Sequence, residues 1–314
     1  MQKKVIVICG PTCAGKSRIA LILAKILNTD IISIDSMQVY RKMNIGTDKY
    51  ETSSLGIKQY MTDLFEPDHN LTVVEFRNTC RNILKNDFFE KNKIPVLTGG
   101  SGLYMRAVLD DLEFSAAAKE ISAKEFKNGP SADYEELYEN LKKTDPEYAR
   151  KISRNDHRRI KRALDVYGKT GEVFSSFQTT WNERRSVYDC TFIGINMEKK
   201  ILHSCIENRV EQMFSRGLVG EVENLIHSGY RDCSSLLQAV GYKEVVKHLK
   251  KEISLEECKE EIIKNTKKLA KKQLTWFRAD PRIQWIITDN YDNIFNLIEA
   301  IINLIIKDLD NEKI

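Results

Sequence analysis

Eight residues near the start of the chain, Gly10-Pro11-Thr12-Cys13-Ala14-Gly15-Lys16-Ser17, carry the pattern G-x-x-x-x-G-K-[ST]. A loop of this composition turns backbone N–H groups toward phosphate oxygens, adds the Lys16 ammonium to neutralise them and leaves the Ser17 hydroxyl to hold Mg²⁺. The pattern needs a strand before it and a helix after it, and an apolar run at 5–9 and a helical stretch at 17–27 supply both. A diphosphate or triphosphate is the expected ligand. Whether that phosphate is transferred or departs is left open by the spacing. Next comes Ile31-Ile32-Ser33-Ile34-Asp35, a buried-strand run ending in a carboxylate. Ligands of open parallel sheets gather at the carboxyl ends of strands, so Asp35 is expected to face the same crevice. Three roles are open to it: a helix or turn cap, a Walker-B-type ligand of Mg²⁺, and a general base that takes a proton from an acceptor. A third group, Thr98-Gly99-Gly100-Ser101-Gly102, follows a strand and precedes a helix. Its glycines permit close backbone approach and Ser101 offers a hydroxyl, although a plain β-to-α turn would read the same way.

Holding these groups together takes a parallel sheet. Short β-branched runs at 5–9, 31–34, 94–98, 191–196 and 283–287 alternate with helical stretches such as 73–92, which predicts an α/β fold built from βαβ units. Between about 113 and 187 the strand-like runs vanish and charged helical segments at 134–143 and 155–167 take over, as expected of a helical insertion. The division expected is 1–112 for the first part of the core, 113–189 for the insertion, and 190–314 for the rest of the core with basic helices and a closing amphipathic helix at 293–309.

Composition narrows the class. With 42% apolar and 30% charged residues in 314, the chain can bury a core and is not disordered by composition. A net charge of +4 proves no nucleic-acid partner, so local clustering must decide. The seven cysteines are odd in number, scattered and never spaced C-x-x-C, which argues against a disulfide framework or a zinc site. No run approaches twenty apolar residues and no signal-peptide pattern opens the chain, so no membrane partner and a cytoplasmic location are expected.

Clustering appears twice. Lys151, Arg154, Arg158, Lys161 and Arg162 recur at helical spacing as one cationic face. From Lys264 to Arg278 the chain carries six Lys or Arg and no acid, opposite an apolar seam of Ile263, Ala270, Leu274 and Phe277. Each run alone reads equally well as a solvated face. Two beside a phosphate loop favour an RNA backbone, bound in a strongly salt-dependent way. Trp276 is spaced either to stack a base or to enter the core.

The blocks GPTCAGKS (10–17), DSMQVYRKMNIGTDK (35–49), IPVLTGGSGLY (94–104), NDHRRIKRAL (155–164), QAVGYKE (238–244) and KKLAKKQLTWFR (267–278) follow one another as they do in the tRNA dimethylallyltransferases, which the sequence resembles along nearly its whole length. The resemblance implies a P-loop NTPase-like core interrupted by a helical insertion. It also implies Mg²⁺-dependent transfer of a dimethylallyl group from dimethylallyl diphosphate to N6 of the tRNA adenosine beside the anticodon, by a monomer contacting the anticodon stem-loop.

Carried over residue by residue, the resemblance gives Gly10 to Ser17 to the donor phosphates, with Thr12, Asp35 and Arg209 catalytic and Ser17 on the metal. It gives the tRNA to Asp35, Ser36, Met37, Gln38 and Ser101; to Arg158, Arg159, Ile160, Lys161 and Arg162; to Gln238, Ala239, Val240, Gly241, Tyr242 and Lys243; and to Lys271, Lys272, Gln273, Leu274, Thr275, Trp276, Phe277 and Arg278. Two places depart from the family pattern: Cys205 stands where many relatives have Arg, and residues 113–120 lack the usual proline-rich, acid-containing stretch. Eukaryotic relatives add a zinc finger that this chain does not have, which suits a bacterial-type enzyme. The rival readings are an adenylate isopentenyltransferase, a P-loop small-molecule kinase and a non-catalytic RNA-binding ATPase.

Overall fold

The computed structural model describes residues 3–50, 52, 55–112, 134–181 and 183–311. The chain runs β1 (Lys4–Cys9), α1 (Lys16–Ile26), β2 (Ile31–Ser33), β3 (Gln59–Tyr60), α2 (Val73–Ile83), β4 (Val96–Gly99), α3 (Gly102–Leu109), α4 (Tyr134–Thr144), α5 (Pro146–Lys151), α6 (His157–Thr170), β5 (Asp189–Asn196), α7 (Lys199–Ser215), α8 (Leu218–His227), α9 (Ser234–Gln238), α10 (Tyr242–Leu249), α11 (Leu255–Arg278), β6 (Gln284–Ile287) and α12 (Ile294–Asn311). The strands form one sheet in the order β3-β2-β4-β1-β5-β6, and every neighbouring pair is parallel.

A parallel sheet covered on both faces calls for continuous apolar runs. The central β1, KVIVIC, is buried at all six positions. It lies between β4 and β5, with Ile6 opposite Val96 on one side and Thr191 on the other. Helix α1 turns Ile19, Ala20, Leu23 and Ala24 onto Ile6, Ile8 and Ile193, and α12 closes the same core with Leu297, Ile298, Ile301 and Ile305. The carboxyl ends of β1, β2 and β4 thereby deliver Gly10, Asp35 and Gly100 to neighbouring positions on one rim.

The expected α/β parallel core is present, with three local differences. Strand β3 is only two residues long, too short for a period-2 pattern to show. The helical stretch expected at 73–92 is regular only to Ile83, then widens into a π-turn at Leu84–Phe88 and tightens into a 3₁₀ turn at Phe89–Lys91. The strand expected at 94–98 starts at Val96, after Pro95, which has no N–H to give a ladder.

The chain divides into two compact units, one of Met1–His69, Thr79–Met105 and Tyr188–Ile314, the other of Asn70–Asn78 and Arg106–Val187. The sequence division begins the insertion at 113; the second unit also takes in 70–78 and 106–112. Residues 113–120, where the sequence departs from the family pattern, lie outside the described residues.

Within the second unit, Leu141, Tyr148, Ala149, Ile152, Ile160 and Ala163 pack together between α4, α5 and α6. The Asp145 carboxylate accepts from the N–H of Tyr148 at 3.0 Å to cap α5, and its other oxygen accepts from Ser175 N–H at 2.8 Å. The single cationic face expected from 151 to 162 is not formed. Lys151 ends α5, and Asp156 caps a new helix by accepting the Arg159 N–H at 3.2 Å. Asp156 thus breaks the helical repeat on which that face depended. No helix among the described residues is long and apolar enough to cross a membrane.

Candidate active site

The phosphate loop is shaped by three left-handed residues. Gly10 has φ 141°, and a Cβ there would lie 2.2 Å from the Ile195 carbonyl oxygen, so only glycine lets β1 leave the sheet beside β5. Gly15 at φ 84° hands the chain to α1. Cys13 also takes a positive φ of 65°, a conformation costing an L-residue about 1–2 kcal/mol.

Lys16 is buried beneath the loop and donates to the Pro11 carbonyl at 2.6 Å. Burial above all, with the like charge of Arg209 adding to it, pushes the Lys16 ammonium down to about 8.

Arg209 comes from α7. Its Nη1 donates to the Thr12 hydroxyl at 2.7 Å and to Cys13 Sγ at 3.6 Å. Its Nε lies 3.7 Å from Asp48 Oδ2, and Arg216 lies 3.6 Å from Asp48 Oδ1. Burial works against the Arg209 charge, but Asp48 and Cys13 outweigh it and hold the guanidinium above its ordinary value.

Asp48 belongs to a turn with no regular structure, and a distant carboxylate fixes it. Glu221, on α8, accepts the backbone N–H groups of Asn44 at 3.0 Å, Ile45 at 2.9 Å and Gly46 at 3.3 Å, and the Tyr242 hydroxyl at 2.7 Å. The Tyr242 ring lies flush on Gly46, where a Cβ would come within 2.3 Å of it. Gln38 ties the far side of the turn by donating to the Thr47 carbonyl at 3.0 Å while accepting from the Ser33 hydroxyl at 2.7 Å.

Asp35 splits its two oxygens. Oδ1 accepts from the N–H groups of Met37 at 2.8 Å and Gln38 at 3.3 Å, a turn cap. Oδ2 has no hydrogen-bond partner among the described residues, so one oxygen orients the side chain and leaves the other for chemistry. The glycine turn approaches from β4. A Cβ on Gly99 would stand 2.1 Å from the Ile34 carbonyl oxygen, and the Ser101 hydroxyl accepts from Ser36 N–H at 3.4 Å.

Helix α11 enters from the other end of the chain. Its Gln273 Oε1 accepts the Thr12 N–H at 2.8 Å. Trp276 lies against Gly102, where a Cβ would meet the indole at 2.0 Å, so it packs on the glycine turn. Of the expected apolar seam of α11, Ala270 and Phe277 are buried, while Ile263 and Leu274 are half-buried and Ile262 is buried beside them. Lys267 is held by Glu207 at 2.6 Å and Lys259 by Glu211 at 3.0 Å.

These groups line one cleft of about 470 Å³. Of the residues singled out from sequence it collects Thr12, Cys13, Gly15, Lys16, Ser17, Ser33, Asp35, Ser36, Met37, Gln38, Thr98, Gly99, Gly100, Ser101, Cys205, Arg209, Gln238, Ala239, Val240 and Gln273. Gly10, Pro11, Ala14, Gly241, Lys243 and the rest of 271–278 lie outside its lining. Among the residues assigned to the tRNA, Ile160 at 0% exposure, Tyr242 at 0% and Phe277 at 3% are buried in the core. Each turns an apolar body inward from an amphipathic helix, which leaves no side-chain surface for RNA. On α6, Arg158 and Arg159 are exposed and Lys161 and Arg162 half-buried.

Sequence reasoning gives no role to Asp48, Tyr50, Gln59, Gln212 or Leu269, which also line the cleft. Gln212 follows Arg209 by three on α7 and so shares its face; no local signal marks the others. The Ser17 hydroxyl and Asp35 carboxylate are hard oxygen donors of the kind Mg²⁺ takes. Among the described residues no three His, Cys, Asp or Glu converge as a metal cage.

The IPP transferase family model matches residues 38–280, and an isopentenyl transferase model matches 3–63. A tRNA dimethylallyltransferase of Thermoanaerobacter sp. (strain X514) is 42% identical over 96% of this chain and 97% of its own, and one of Bacillus mycoides is 39% identical over 92% and 91%. Among solved structures, the tRNA delta(2)-isopentenylpyrophosphate transferase of Staphylococcus epidermidis superposes with a TM-score of 0.71 at 34% identity, covering 97% of this chain and 99% of that one. A eukaryotic dimethylallyltransferase acting on tRNA gives 0.76 at 25% identity, covering 97% and 79%. Similarity of this extent, over nearly the whole length of the chain and of its relatives, makes the chain a member of the tRNA dimethylallyltransferase family of IPP transferases.

Proposed function

We propose that the cleft transfers a dimethylallyl group from dimethylallyl diphosphate to N6 of the adenosine beside the anticodon of a tRNA. The family carries the reaction, and one observation carries the mechanism: Asp35 Oδ2 is free in the same cleft as the buried Lys16 and Arg209. In this reading the donor's C1–O bond breaks with its electron pair going to diphosphate, a C1–N6 bond forms, and Asp35 takes the N6 proton. Lys16, Thr12, Arg209 and the loop N–H groups hold the departing diphosphate and stabilise the charge it gathers. Mg²⁺ held through Ser17 would add positive charge against the same oxygens. The acceptor base must leave its stack to reach the cleft, and in this reading the exposed Arg158 and Arg159 pair with phosphates of the anticodon stem-loop. The reading includes action as a monomer, and a tRNA acceptor carries with it a cytoplasmic setting.

Incubation with dimethylallyl diphosphate, unmodified tRNA, AMP and ATP, followed by nucleoside mass spectrometry, tests the reading. N6-dimethylallyladenosine in the tRNA is the expected product. Prenylated AMP, phosphoryl transfer, or ATP hydrolysis without prenylation would each replace the reading with one of its rivals.

A further inference from the structure

Two of the cysteines stand in the cleft itself. Cys13 and Cys205 both line it and are half-buried, whereas Cys9, Cys80 and Cys258 are buried away from it. The Cys13 side chain faces α7, because its Sγ accepts from Arg209 Nη1 at 3.6 Å. It also packs on the apolar cluster of Leu202, Ile206 and Ala270. On α7, Cys205 follows Leu202 by three residues and precedes Arg209 by four, and residues three and four apart share one face of a helix. Cys13 is thus engaged with the very face on which Cys205 lies, one turn before Arg209. Burial holds the Cys205 thiol above its ordinary value and the charge of Cys13 adds to this, an effect that belongs to close neighbours.

We infer that Cys13 and Cys205 form a redox modification site inside the cleft: hydrogen peroxide joins them in a disulfide that ties the phosphate loop to α7 and shuts the donor site. In the first step the Cys13 sulfur attacks one peroxide oxygen, the O–O bond breaks, and the departing hydroxide takes the thiol proton as water, leaving Cys13 a sulfenic acid. In the second the Cys205 sulfur attacks the Cys13 sulfur, the S–O bond breaks, and that hydroxide leaves as water with the Cys205 proton. Two thiols give up two electrons, and one peroxide is reduced to two waters. The new bond draws the Cys13 sulfur off Arg209 and tethers a loop that must lie open around phosphate. Exchange with an external thiol reverses it. The modification goes beyond the prenyl transfer proposed above, and only its effect on donor binding rests on that reading.

The test treats full-length wild type, Cys205→Ser and Cys233→Ser with hydrogen peroxide and locates the linked sulfurs by fragmentation mass spectrometry without reduction; Cys233 lies outside the cleft lining. Inorganic diphosphate with Mg²⁺ is titrated before oxidation, after it and after dithiothreitol, and prenyl transfer by the reduced wild type is measured separately. Wild type and Cys233→Ser are expected to link Cys13 to Cys205, to bind diphosphate about tenfold more weakly or worse, the size of one charge-assisted hydrogen bond, and to recover with dithiothreitol. Cys205→Ser is expected to form no link and to carry Cys13 on to sulfinic acid, which dithiothreitol does not reverse. Diphosphate added before the peroxide is expected to slow the linkage. Cys13 linked to Cys9 or left unlinked in the wild type, a linkage that diphosphate does not slow, or a linked protein that binds diphosphate as before would overturn the inference. A reduced wild type that transfers no prenyl group would instead overturn the function proposed above, with the disulfide still read by its own mapping.

Discussion

Arg209 donates to the hydroxyl of Thr12 at 2.7 Å, joining α7 to the phosphate loop across 197 residues of sequence. The same guanidinium faces Asp48, so its charge is balanced on one side and directed at the loop on the other. Thr12→Val and Arg209→Gln should each raise the donor KM by about tenfold, with the double variant little worse than either, because one shared interaction is removed in all three. Fully additive effects in the double-mutant cycle would show the two residues acting independently.

Lys16 titrates near pH 8 because burial and Arg209 disfavour its charge. Below about 8 the ammonium is present to meet phosphate, and above it the free protein holds a neutral amine. Affinity for inorganic diphosphate should therefore fall as pH rises through about 8, with proton uptake on binding above that point. Calorimetry in buffers of different ionisation enthalpy reads this uptake. A flat affinity from about pH 7 to 9, or the same break in Lys16→Arg, would assign the titration to another group.

Asp35→Asn keeps the size of the side chain and an oxygen for the Met37 and Gln38 N–H groups but removes the base. Single-turnover transfer should fall by about two orders of magnitude or more, with tRNA, donor and Mg²⁺ binding nearly unchanged. Recovery of the rate on raising Mg²⁺ would make Asp35 a metal ligand.

Glu221 fixes the turn that carries Asp48. In Glu221→Ala three backbone N–H groups and the Tyr242 hydroxyl lose their acceptor, which should cost about 2 kcal/mol or more of stability in urea melts. The donor KM should rise as Asp48 leaves Arg209. A variant that melts early yet binds the donor normally would uncouple the turn from the site.

Replacing Arg158, Arg159 and Arg162 with Gln should weaken tRNA binding and flatten its salt dependence, by about 0.7–0.9 in slope for each phosphate left without its cation. Donor affinity should not move. A tRNA dissociation constant unaltered across salt concentrations would mark this face as solvated only.

The parallel core is legible in the sequence because buried strands of such sheets are unbroken apolar runs, as in 5–9 and 31–34, and because glycine spacing at 10–17 and 99–102 has few structural uses. Harder to read is everything fixed at a distance. Nothing around Asp48 announces a role, since its place depends on Glu221, 173 residues later. Gln273 looks like one more polar residue on a basic helix until Thr12 is seen against it. Ile160 and Phe277 go to RNA along with their motif neighbours when whole motifs are carried over, although an apolar residue three positions ahead of Ala163 belongs to the core face of α6. Asp156, taken as a helix start, likewise divides the basic run.

The loop and its cap stand 261 residues apart in the chain. At translation speeds of about 5–20 residues per second, Gln273 follows Thr12 out of the ribosome by roughly 13–50 s. During that interval the strand, loop and first helix are all made, while the side chain that takes the Thr12 N–H is still to come. A C-terminal truncation ahead of α11 would lose that cap together with β6 and α12, whose Leu297, Ile298, Ile301 and Ile305 close the core around the loop's own strand and helix, so the loop is not finished until the end of the chain is made.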